Sequence, residues 1–110
     1  MIGDTISKIE AKLRNTGSIN DESRRELLSL LGTLKTEITA LSRTHADQAR
    51  KIAGFTETSA GEAIREEKNE DQLKLSLESL AASVDGFETS HPNLVQVVNR
   101  ICTTLSNLGI

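Results

Sequence analysis

Few residues of this chain are of types that do chemistry: His45 and His91, the single Cys102, and an acidic run of Glu62, Glu66, Glu67, Glu70 and Asp71. Glu88-Thr89-Ser90-His91 has the Glu-x-x-His spacing that di-iron carboxylate bundles project from facing helices. Such a centre takes two of these pairs and two further glutamates, whereas here there is one pair, and Pro92 puts His91 at a helix boundary. His91 is therefore expected to cap the helix that Pro92 starts. His45 falls on a helical seam with Thr44 and Asp47 nearby, where a lone histidine sets register or specificity. No second histidine or cysteine stands at ligand spacing from it.

The acidic run is interleaved with Arg65 and Lys68, the pattern of a solvated helix face. A catalytic carboxylate pair needs a cleft that drives its two pKa values apart, and a charged helix surface supplies none. A nucleophilic Cys102 would need a polarising base and partial exposure; beside Ile101 it reads as a small buried residue. No glycine-rich phosphate loop follows a strand, and no Gly-x-Ser-x-Gly turn is present. The expectation is no catalytic residue, no metal, no cofactor and no enzymatic activity.

The elements that position these residues follow from spacing. Ile2, Ile6, Ile9 and Leu13 alternate by four and three, predicting a first helix over 4–15 with Asp4 as its cap and Asn15-Thr16-Gly17 as its end. A second helix opens at Ser18-Ile19-Asn20-Asp21, capped by Ser18 or by Asn20, and carries Leu27, Leu31, Leu34, Ile38 and Leu41. Leu28 and Leu30 widen that stripe to suit several neighbours. The register runs on through His45, Gln48 and Ile52, so the helix is expected over 20–53.

Gly54-Phe55-Thr56-Glu57-Thr58-Ser59 is the preferred reversal, because Ser59-Ala60-Gly61-Glu62 then forms a capping box. The alternative reversal lies near Asn69, which can cap with Gln72 three residues on. Leu73, Leu77, Leu80, Val84 and Phe87 define a third helix, 59–89. After Ser90-His91-Pro92, the row Leu94, Val98, Ile101, Leu105 and Leu108 defines a fourth, 91–108, closed by Gly109.

The whole is expected to be all-α, one domain over 1–110: an up-and-down four-helix bundle whose second and third helices extend into a long antiparallel, coiled-coil-like hairpin arm over 43–68. Aromatic residues make up 2% of the 110-residue chain, so stacking platforms are lacking, and a net charge of −3 gives no basic footprint; nucleic-acid binding is not expected. Met1-Ile2-Gly3-Asp4 opens no basic-then-apolar leader, no apolar run reaches the ~20 residues that cross a bilayer, and one cysteine makes no internal disulfide. A cytoplasmic protein without membrane insertion is expected.

The arm buries little by itself, since alanine contributes much less apolar area than leucine. Self-association is the economical way to cover it, making a homo-oligomer, dimer or larger, through Ile52, Phe55, Ala60 and Ile64. The alternative is a regulatory adaptor that offers the hairpin to a heterologous protein partner. His91, Pro92 and Gly109 are expected to be structural punctuation.

Gly86-Phe87-Glu88-Thr89-Ser90-His91-Pro92-Asn93-Leu94, then Ile101, then Leu105-Ser106-Asn107-Leu108-Gly109-Ile110, resembles the C-terminal signature of the domain of unknown function 4404 family. The likeness is good over 73–110, fair over 19–41 and weak before that. The resemblance implies shorter members that join the second and third helices by an acidic loop, so 43–68 reads as an insertion. The resemblance implies a bacterial, cytosolic, all-helical protein without assigned activity, and it brings no catalytic or binding residues to carry over.

Overall fold

A computed structural model of the chain describes residues 2–109, with side chains from Gly3 to Leu108. Five helices follow one another: α1 (Ile2–Asn15), α2 (Asp21–Ser42), α3 (Ala46–Ala63), α4 (Glu70–Ala82) and α5 (Pro92–Gly109). Among the described residues there is no strand. The all-helical expectation is met. The expected four-helix count is replaced by five.

Asn20 is the cap of α2, its Oδ1 accepting from the Ser23 N–H at 2.8 Å, and Asn69 does the same for α4 through Gln72 at 3.1 Å. α1 begins ahead of Asp4, which lies within its first turn. The side chain of Ile2, expected on the α1 stripe, lies outside the described residues, but Ile6, Ile9 and Leu13 are buried as the spacing requires. Arg24 closes the link from α1 to α2: Nε donates to the Leu13 carbonyl at 2.8 Å and Nη2 to that of Thr16 at 2.5 Å. These carbonyls belong to the last turn of α1 and the link beyond it, where helix carbonyls lack a partner of their own.

The expected arm is the main correction. α2 stops at Ser42; Thr44 and His45 turn the chain, both of their N–H groups donating to the Leu41 carbonyl. Residues 46–63 then return as α3, which packs against α1, α2, α4 and α5. Ala49, Ile52, Ala53, Ala60 and Ala63 lie in the common core. The physical reason is the small size of that row: alanines let a helix approach several neighbours at once, so the surface that would be thinly covered in a two-helix arm is fully covered in a five-helix globule. The chain spans 37 × 25 × 20 Å, leaving no room for a projecting hairpin.

The preferred reversal at 54–59 is likewise corrected. Gly54 and Ser59 are both inside α3, and the chain turns at 64–69, beside the Asn69 cap kept as the alternative. α4 ends at Ala82, earlier than the expected 89, and Gly86 adopts φ +95°, a left-handed conformation that a side chain would strain. Val84 nevertheless stays buried, and Phe87 packs at the edge of the core. Pro92 is the first residue of α5. α5 runs through Gly109; the cap expected there depends on Ile110, which lies outside the described residues.

Candidate interaction surface

Ile52 and Ala60 are 0% and 3% exposed, and Phe55 and Ile64 are half-buried against the same core. Burial takes Ile52 and Ala60 off the surface: a second molecule reaches them only if α3 leaves its place. Their 3.6-residue periodicity was legible, but a row facing four helices of its own chain has the same spacing as a row facing a partner. The Ile64 carbonyl is also engaged, accepting from Ser18 Oγ at 2.8 Å, which ties the end of α3 to the α1–α2 link.

The two histidines come together. His45, just ahead of α3, stands edge-on to Phe87 at 5.3 Å between ring centroids, and His91, just ahead of α5, does so at 5.5 Å; the two imidazoles are 6.2 Å apart. Each Nδ1 meets the hydroxyl of the preceding residue, Thr44 Oγ1 at 2.7 Å and Ser90 Oγ at 2.9 Å. The cluster joins the α2–α3 turn to the α4–α5 turn. Glu88, the other half of the Glu-x-x-His pair, folds back to accept from the Gly86 N–H at 2.8 Å. Among the described residues, no group of three or more histidine, cysteine or carboxylate side chains is placed to hold a metal ion.

Cys102 is half-buried, its Sγ 3.8 Å from the Leu77 carbonyl, and desolvation pushes its thiol up to about 11. That is the direction of an unreactive thiol. It lines an open groove between α4 and α5 with Lys74, Leu77 and Glu78. On the outer side of α4 stands Leu75, 57% exposed, the one large apolar side chain so exposed among the described residues.

A larger groove, about 570 Å³, runs along the outward side of α3, bordered by Thr5 of α1 and Ser42 of α2. Ala46, Ala53 and Gly54 line it, and Arg50 and Glu57 stand seven residues apart along it with opposite charge. A Cβ added at Gly54 or Gly61 would meet nothing within 4 Å, so this side of the helix is open. Arg50 makes an ion pair with Asp47 one turn back, and both are mostly exposed. Glu57 has no hydrogen-bond or ion-pair partner among the described residues. Sequence reasoning missed this face because it took Gly54 as a turn; the helical spacing of Ala46, Arg50, Ala53, Gly54, Glu57 and Gly61 was the signal available.

The family model described as Domain of unknown function (DUF4404) matches residues 56–110, half of the chain. No curated protein and no solved structure matches. The match begins within α3 and takes in α4 and α5, so residues 56–68, read above as part of an insertion, fall inside the family pattern. The chain belongs to the domain of unknown function 4404 family.

Proposed function

We propose that this family member is a non-catalytic helical module that works by associating with itself, in the cytoplasm of a bacterium. The single observation that carries the reading is the groove along α3: a helix side with open space over Gly54, bordered by Thr5 of α1 and Ser42 of α2 and, among the described residues, filled by no other element. Small side chains there allow a second helix to approach closely, and close approach multiplies the weak dispersion contacts that hold helices together. The opposite charges of Arg50 and Glu57 set orientation more than strength. Ile52 and Ala60 serve this module from within, by fixing α3 so that its outer side is presented rigidly. Sedimentation equilibrium on the purified chain tests the reading: a mass of twice the 12.0 kDa protomer is expected, and a monomer at every concentration overturns it.

Leu75 supports a second reading, an adaptor that docks a heterologous helix on α4 beside the Cys102 groove. Under it the purified chain is monomeric, and Leu75→Asp abolishes partner binding without changing the fold. A soluble role fits the absence of any helix among the described residues long and apolar enough to cross a membrane.

A further inference from the structure

We infer that the partner in the α3 groove is a second copy of this chain, docked with the two α3 helices antiparallel across a two-fold axis between Ala53 and Gly54. The inference rests on the self-association reading and gives it a geometry. About that midpoint Arg50 falls opposite Glu57 along the groove, and Ala46 opposite Gly61, which lies beyond the groove with open space over it; Ala53, 2% exposed, borders the crossing from the core side and Gly54 from the open side. At 1.5 Å per residue, Arg50 and Glu57 lie roughly 5 Å to either side of the axis. A two-fold partner therefore brings Glu57 to each Arg50, making two symmetric ion pairs, as an isologous interface requires. A parallel partner would set Arg50 against Arg50 and Glu57 against Glu57. The small residues at the crossing let the backbones meet; Arg50 exchanges or shares its exposed pairing with Asp47, and Glu57 gains the partner it lacks. An unrelated protein would need the same reversed charge order by coincidence, whereas a second copy carries it necessarily.

Sedimentation equilibrium on the full chain tests this with four variants, each checked for helix content by circular dichroism. Gly54→Leu raises intrinsic helix propensity, so the protomer keeps its fold, while the new side chain blocks the crossing; a shift from dimer to monomer is expected. Arg50→Glu and Glu57→Arg, each alone, replace both cross-pairs by like charges and are expected to weaken dimerisation roughly tenfold or more. The double variant Arg50→Glu with Glu57→Arg restores opposite charges in the antiparallel pairing and is expected to recover wild-type dimerisation. A dimer that none of these variants weakens overturns this interface and leaves self-association standing through another face. Weakening by the single reversals without recovery in the double variant overturns the antiparallel register. A wild-type chain that stays monomeric overturns both the interface and the function it rests on.

Discussion

At the residue scale, Arg24, Ser59 and Cys102 each make a claim about energy. Arg24 is mostly buried and donates to carbonyls at the end of α1 and in the following link, as well as to Asp21 at 2.5 Å. Arg24→Ala leaves two carbonyls without a charged donor and is expected to cost about 2–3 kcal/mol, read from the urea midpoint. Ser59 Oγ is buried without a hydrogen-bond partner among the described residues, so its hydroxyl was desolvated on folding with nothing in return. Ser59→Ala should raise stability by about 1 kcal/mol, with a helix-propensity gain in the same direction; a loss would mean that the hydroxyl has a partner after all. The thiol of Cys102 is raised from 9.0 to about 11 by burial. As pH rises through the unfolded value, the unfolded chain releases a proton that the fold retains, so stability declines from about pH 9 to about pH 11. The same titration of Cys102→Ala should lack this contribution; parallel pH profiles for the two proteins would show that the thiol is not protected.

At the element scale, what the sequence disclosed and what it hid have separate causes. Helix starts with a side-chain cap were legible: Asn20 and Asn69 each accept from the N–H three residues on, and either changed to alanine should cost about 1 kcal/mol in thermal or urea unfolding. The rows Leu27 to Leu41 and Leu94 to Leu105 were legible because large aliphatic side chains at fours and threes have one sensible burial. The break between α2 and α3 was hidden. His45, ahead of α3, makes no side-chain capping bond, there is no proline or glycine within 43–46, and the heptad register passes straight through it. Conversely, Gly54 and Gly61 advertise turns but lie in a helix held by tertiary packing, which overrides a propensity cost of about 1 kcal/mol each. Ile52 is then a core residue. Ile52→Ala should destabilise by about 2–5 kcal/mol, the range for a large side chain deleted from a close-packed site, against almost nothing for a solvated arm.

At the scale of the whole molecule, a Cα radius of gyration of 12.9 Å agrees with the roughly 13 Å expected of a compact chain near this length. The candidate surface was legible only in part. The segment 43–68 was read as a projecting arm, whereas its helix α3 lies in the core with Ile52 and Ala60 facing inward, because periodicity identifies a helix without saying which side meets its own chain. Contacts between distant parts help fix that side: Ser18 Oγ donates to the Ile64 carbonyl at 2.8 Å, and Lys68 Nζ donates to the Leu108 carbonyl at 2.8 Å. If the chain self-associates, folding and assembly are linked, and raising protein concentration tenfold should raise the melting temperature measurably. A melting temperature independent of concentration would indicate a monomer.

Everything proposed for the groove requires α3 to be held in the core on one side, and amide hydrogen exchange across Ala49–Ala63 tests that most directly. The Ile52 to Ala60 amides are expected to exchange as slowly as those of Leu31 and Ile101, near the rate set by global unfolding. Exchange of that stretch at the rate of the exposed 65–69 turn, while α2 and α5 remain protected, would overturn that placement of α3.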